Sequence, residues 1–213
     1  SSDLARQGRT VRGYASSQWD IGDPAAAPAL SAGDVVVNCA AYTHVDNAES
    51  DSEQAFRVNA TGPLNVARAC AEAGARLIHL STDYVFDGDF GGAPARPYEP
   101  GDATNPLSVY GRSKLDGEQA VLAALPTATV VRTAWLYTGG AGQDFVAVMA
   151  RKAAGGESVE VVDDQIGSPT YVADLTDVLL QLVDGDVGAP LLHAADAGAV
   201  SRFTQAQAVY AAV

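Results

Sequence analysis

The chain has 213 residues, 47% of them hydrophobic, enough to bury a core as one domain or as one domain with a small appendage, and this argues against a disordered tail. Its formal net charge of −13, with 13 Lys and Arg spread along the chain, argues against a nucleic-acid backbone as partner and leaves small anions at helix N-termini. The most apolar stretch, 120–137, is interrupted by Pro126 and Arg132, and no basic segment followed by an apolar one opens the chain, so neither a membrane span nor a signal peptide is expected.

Short β-branched runs alternate with longer helical ones, the pattern of a parallel sheet covered on both faces. Residues 10–14 read as a first strand, and 34–39, continuous in Val, as a stronger one buried on both sides. A helix over 51–73 follows, with a bend at Pro63 and a stop at Gly74. Residues 77–82 form the next strand, and the Gly/Pro-rich stretch 87–106 a long surface loop, of a length that is often functional. Pro106 opens a helix running to about residue 125, before a strand over 128–134. A helix over 143–154, a strand over 158–162, a polar turn over 163–170 and a helix over 172–183 come next, and 191–213 reads as strand then helix. The expected fold is therefore α/β, a doubly wound parallel Rossmann-like sheet. It divides into a Rossmann-like part over 1–157 and a smaller, partial portion over 158–213, interleaved with the last strands.

Strand C-termini share one edge of such a sheet, so the clusters 38–43, 81–84 and 133–137 should converge on one cleft. Tyr110 and Lys114, four apart in S-V-Y-G-R-S-K-L-D-G-E, share a helix face, where the ammonium would favour the ionised phenol and allow proton exchange. Such a Tyr-x-x-x-Lys pair arises by chance roughly 0.08 times in a chain of this composition, so alone it carries little weight beside an ordinary surface pair. Thr82, Asp83 and Asp20 could equally be turn residues, and Trp135 a core residue. Cys39 and Cys70 lack a close pair or metal-ligand spacing and read as buried reduced thiols of a cytoplasmic protein. His44, His79 and His193 share no ligand spacing, so no metal site is expected.

The ordered motifs S-T-D-Y-V-F-D-G, Y-G-R-S-K-L-D-G-E, R-T-A-W-L-Y and D-D-Q-I-G-S-P-T-Y-V-A-D-L, with V-N-C-A-A-Y-T-H-V-D-N-A-E and V-N-A-T-G-P-L-N-V-A before them, resemble the extended short-chain dehydrogenase/reductases over nearly the whole chain. The resemblance implies reduction of a dTDP-linked 4-keto-6-deoxy sugar to dTDP-L-rhamnose by NADPH or NADH, with a metal requirement left open. Tyr110 would donate the proton, Lys114 would hold the nicotinamide ribose and lower the Tyr110 pKa, and Thr82 would hydrogen-bond the reacting oxygen. Asp20 and Ile21 would flank the adenine. Ala40, Ala41, Tyr42, Thr43 and Ser81 would line the dinucleotide, with Tyr110 and Lys114 completing that site. Asp83 and Trp135 would contact the sugar nucleotide, while Asn59 would be a structural bridge. Arg12 could serve either cofactor, and oligomeric state stays open, a homodimer being one option whose face no residue specifies.

Against that pattern the fold is expected to be incomplete at both ends: S-S-D-L-A-R-Q-G looks like the end of the helix that follows a Gly-rich phosphate turn, and A-V-Y-A-A-V stops short of the segment that completes the sugar-nucleotide pocket. Two other readings stay open. A related epimerase or dehydratase would keep the fold and cofactor but regenerate the latter in each turnover, and a regulatory subunit would keep the fold and bind another enzyme. D-D-Q-I-G-S-P-T favours the reductase over the first, and Tyr110, Lys114 and Thr82 favour catalysis over the second.

Overall fold

Runs of Val, Leu and Ile too short for helices build the sheet, and the computed structural model describes it within residues 10–139, 142–185 and 188–213. Strands β1 (Val35–Asn38), β2 (Arg76–Thr82), β3 (Thr129–Thr133) and β7 (Leu191–His193) lie in the order β1-β2-β3-β7. β1 pairs in parallel with β2, Asn38 opposite His79, and β3 in parallel with β7. Parallel neighbours need crossover helices, which here are α1 (Val45–Ala48), α2 (Ser52–Phe56) and α3 (Gly62–Ala73) between β1 and β2, and α4 (Val109–Ala124) between β2 and β3. Short pairs make up the rest: β4 (Leu136–Tyr137) with β6 (Thr170–Tyr171), and β5 (Ile166–Gly167) with β8 (Val200–Ser201). Helices α5 (Phe145–Ala154), α6 (Val172–Asp184) and α7 (Arg202–Ala212) complete the chain.

The residues form two compact units, one of 1–132 with 182–193 and one of 133–181 with 194–213. The boundary falls at Arg132/Thr133 and the chain returns twice, where the sequence suggests a division near residue 157. In the first unit, Val66, Ala67 and Cys70 of α3, Leu77 of β2, Val121 of α4 and Val130 of β3 form one buried cluster. Each comes from a helix face or a strand, so the core joins both crossovers to the sheet.

Four local expectations change. Residues 10–14 have no strand pairing among the described residues; Arg12 is drawn instead to Asp34, 3.0 Å away. Residues 158–162 also lie outside any strand: Val162 offers its carbonyl to Phe203 N at the start of α7, and antiparallel pairing falls to 166–167. The helix over 51–73 is broken not at Pro63 itself but by a π-helical turn over Arg57–Thr61. Pro63 has no N–H to offer the carbonyl of Asn59 four residues back, and the widened turn accommodates that loss. Ser108, rather than Pro106, starts α4, its hydroxyl accepting Gly111 N at 3.0 Å. Gly74 does end α3, at φ 69°. The opening 1–8 lie outside the described residues.

Candidate active site

Because β1 and β2 run in parallel, their last residues reach the same edge. Asn38 donates Nδ2–H to His79 Nδ1 at 3.1 Å and accepts Ala40 N at 3.1 Å, turning the chain after β1. With Nδ1 accepting, the His79 proton sits on Nε2, and burial together with the nearby Lys114 charge holds its pKa well below the usual histidine value. Beyond the turn, Ala40 is exposed and Ala41 half-buried, so only methyl groups stand there. Tyr42 is clamped at both backbone groups: Asn59 Oδ1 accepts its N–H at 2.8 Å and Asn59 Nδ2 donates to its carbonyl at 3.0 Å. Asn59 Nδ2 also reaches Ser113 Oγ at 3.0 Å, making this side chain a bridge from α4 to the β1 turn.

β2 ends in Ser81 and Thr82. The Thr82 hydroxyl caps the 3₁₀ turn over Asp83–Val85, accepting Tyr84 N at 3.3 Å and donating to Asp83 Oδ1 at 3.1 Å. Capping and site roles thus coincide in one hydroxyl. α4 packs against that turn through Gly111, where an added Cβ would lie 2.3 Å from Tyr84 O. Tyr110 is consequently buried, 9% exposed, with its ring edge-on to Tyr84 at a centroid distance of 5.5 Å. Burial pushes its phenol up to about 12, opposed by a hydrogen bond with Thr82 and reinforced by Asp83 and Tyr84. That direction is opposite to the expected lowering by Lys114. The Lys114 ammonium, 2% exposed, donates to Leu80 O at 2.7 Å, and burial pushes its own pKa down to about 8.

The remaining expected positions are less alike. Asp20 forms an ion pair with Arg57 and accepts Gly22 N at 2.9 Å, so the arginine hydrogen bond first and the backbone amide second hold its pKa below the usual carboxylate value. Ile21 is 8% exposed and packs over Gly62 in the core, offering a cofactor its backbone position rather than a side-chain surface. Thr43 is exposed. Cys39 is exposed as well, against the expectation of a buried thiol, because it stands one residue past the end of β1; Cys70 is buried in the core.

Trp135 belongs to the second unit. Its φ of 48° lies in the left-handed region, uncommon for a bulky residue and a mark of functional sites. The Arg202 guanidinium carbon stands 3.4 Å from its ring centroid, and a Cβ on Gly167 would come within 2.5 Å of the indole. The indole is therefore already stacked within its own unit. Gly167 and Arg202 were not legible as its partners.

Sequence reasoning also missed Glu118 and Arg132, a buried ion pair with Nη2 to Oε2 at 2.6 Å. The available signal was spacing: Glu118 follows Lys114 by four residues, so it shares the helix face of the Tyr110–Lys114 pair. Removing one partner of such a pair costs about 3–5 kcal/mol. Among the described residues, no group of three or more His, Cys, Asp or Glu could hold a metal ion, and no helix is long and apolar enough to cross a membrane.

The chain matches the RmlD substrate binding domain family over residues 1–213. It is 66% identical over 211 residues to a dTDP-4-dehydrorhamnose reductase of Mycobacterium tuberculosis, covering 99% of this chain and 69% of that relative. A second enzyme of that name, from Mycolicibacterium smegmatis, is 58% identical over 216 residues, and the chain spans 64% of its length. Among solved structures, a dTDP-4-dehydrorhamnose reductase of Clostridium acetobutylicum superposes with a TM-score of 0.88 at 34% identity, covering 99% of this chain and 74% of that one. The reductase of Bacillus anthracis, solved in complex with NADP, gives the same score, identity and coverage. The parallel sheet, the edge that gathers Thr82, Tyr110 and Lys114, and these similarities agree: the chain belongs to the RmlD substrate binding domain family.

Proposed function

We propose that the protein is an NADPH-dependent ketoreductase of a nucleotide-linked sugar, converting dTDP-4-dehydro-L-rhamnose to dTDP-L-rhamnose in the cytoplasm. The observation that carries this reading is the donor set of Thr82, Tyr110 and Lys114, gathered in a chain that belongs to this family. That set fits a reduced nicotinamide dinucleotide, since a phenol, a hydroxyl and an ammonium are the donors that a reacting carbonyl and a ribose require, and the methyl groups of Ala40 and Ala41 permit close approach at the strand edge.

When bound, NADPH supplies the hydride. Hydride addition turns the ketone into an alkoxide, and Tyr110, kept protonated by burial, gives its O–H proton to that oxygen. A secondary alkoxide is a stronger base than even this phenolate, so a raised phenol pKa still permits the transfer. Thr82 orients the same oxygen, and Lys114 holds the ribose and supplies positive charge. Ser81, Tyr42 and Thr43 line the dinucleotide path, Asp20 and Ile21 the adenine end. Asp83 and Trp135 bind the sugar nucleotide, the indole through whichever surface Arg202 leaves accessible.

Ketone-dependent NADPH oxidation, followed at the cofactor absorbance with freshly generated dTDP-4-keto-6-deoxy-L-mannose, tests the proposal; binding of both ligands without oxidation would refute it. In that assay kcat/KM is expected to fall as pH rises through about 8, because Lys114 loses its charge there. A flat profile to pH 10 would show that the ammonium is not required. Trp135→Ala should raise KM for the sugar nucleotide by about tenfold, a loss of roughly 1.4 kcal/mol, while kcat changes little. An unchanged KM would remove Trp135 from the binding site.

A further inference from the structure

Behind the proton-transfer groups, Glu118 and Arg132 form a pair that none of the roles above uses, with side chains 4% and 6% exposed. Arg132 Nε reaches Oε1 and Oε2 at 2.9 and 3.2 Å, and Nη2 reaches Oε2 at 2.6 Å. Glu118 Oε1 also accepts the Ser81 hydroxyl at 2.5 Å. Arg132 Nη1 points to Pro100 O at 3.4 Å, and its guanidinium carbon lies 5.1 Å from the Phe86 ring centroid. Ser81 stands between Leu80, whose carbonyl receives Lys114, and Thr82. The carboxylate is thus bonded to the one residue of β2 that separates the two positions the site relies on.

A buried ion pair contributes little net stability over an apolar pair of equal volume, because desolvation offsets the Coulomb attraction. Its meaning here lies in where it holds the strand and where it puts charge. We infer that Glu118 is a positioning residue for the ketone reduction, an inference that rests on the reductase reading: clamped by Arg132, its carboxylate fixes residues 80–82 and sets a negative charge beside the Lys114 ammonium. The charged and titratable groups around that ammonium are Tyr110 and Glu118 on its own helix, Cys39 past β1, His79 on β2 and, behind Glu118, Arg132 on β3. His193 on β7 is in turn influenced by Arg132, Glu118 and Asp102. Burial dominates at Lys114, and Glu118 is the largest influence opposing it. Cys39 is exposed as a residue, but partial desolvation of its thiol raises it, and burial lowers His79, so both are neutral at pH 7. The carboxylate is therefore the anion that counts.

Steady-state kinetics across pH, with NADPH and the dTDP-linked keto sugar, test this in the wild type and four variants. Glu118→Gln should move the alkaline limb of kcat/KM to lower pH by about one pH unit, since the ammonium loses its anion. Arg132→Met, which leaves the carboxylate unneutralised, should move it to higher pH, and the double variant should return it toward the wild type. Ser81→Ala should lower kcat about tenfold, with KM for the keto sugar within about twofold, because the strand end loses its tether. A pair that only supports the fold would lower Tm without displacing the limb in opposite directions. Coincident limbs together with a wild-type kcat in Ser81→Ala overturn the inference. Should the charge variants not fold, Ser81→Ala decides it: a fall in kcat at unchanged NADPH affinity supports the tether, whereas weakened NADPH affinity with kcat retained at saturation assigns Ser81 to the dinucleotide path alone and overturns it. Failure of the reductase reading looks different: there the wild type itself shows no ketone-dependent oxidation.

Discussion

Tyr110→Phe is expected to lower kcat by about 10²- to 10⁴-fold while leaving NADPH affinity within about twofold. The substitution removes one oxygen and nothing else. Its ring can stay edge-on to Tyr84, at 5.5 Å, and packed with Ala48, Ala55 and Val109, so the helix has no reason to move. What disappears is the O–H that the alkoxide needs, and with it the hydrogen bond to Thr82. Thr82 cannot take over, because an aliphatic hydroxyl is no stronger an acid than the alcohol being formed: it can orient the oxygen but not protonate it. Lys114 is held on Leu80 O at 2.7 Å and keeps its charge-supplying role. A kcat within threefold of wild type, measured with NADPH binding followed separately, would show that the proton comes from elsewhere. Loss of NADPH affinity in step with kcat would instead show that the phenol mainly organises the site.

The sequence made the strands Val35–Asn38 and Arg76–Thr82 visible through short β-branched and aliphatic runs, but not their burial: the valines of β1, at the end of the strand order, are half-buried rather than covered on both sides. It failed where pairing depends on a partner distant in sequence. Residues 10–14 and 158–162 carry β-branched side chains, yet neither has a strand pairing, and the short pair Ile166–Gly167 with Val200–Ser201 sits in segments read as a turn and as a strand-to-helix passage. The site divides in the same way. Tyr110, Lys114 and Thr82 were legible through motif order, whereas the electrostatics were not. Whether Lys114 lowers the Tyr110 pKa or Leu80 O captures the ammonium depends on how closely α4 approaches β2. Gly111 permits close approach to the turn that follows β2, and Gly117 to the π turn, without announcing either. Likewise, one-dimensional spacing places Glu118 on the face of Lys114 but cannot show that Arg132 and Ser81 meet it there.

Gly117→Ala is expected to be the most damaging of the single-methyl additions. Gly117 lies on α4, and a Cβ built on it would fall 2.1 Å from Asn59 O and 3.2 Å from Asn59 C, with Ala60 Cα at 3.6 Å. The obstructing atoms are backbone in the π turn over Arg57–Thr61, so no side chain can rotate away. Alanine's higher helix propensity returns about 1 kcal/mol, while overpacking against backbone costs more, and the net loss should be about 2 kcal/mol or larger. For a chain of this size that lowers Tm by roughly 4–8 °C. The displacement also has a direction. Pushing α4 from the π turn strains the Asn59 bond to Ser113 and the two Asn59 bonds that clamp Tyr42, so NADPH affinity should weaken along with stability. Gly101 gives the control: an added Cβ there meets nothing within 4 Å, and Gly101→Ala should stay within about 0.5 kcal/mol of wild type. Thermal unfolding of both variants, paired with NADPH titration, reads the two consequences separately. A Gly117→Ala protein as stable as Gly101→Ala would mean that α4 does not approach the π turn as closely as the structure places it.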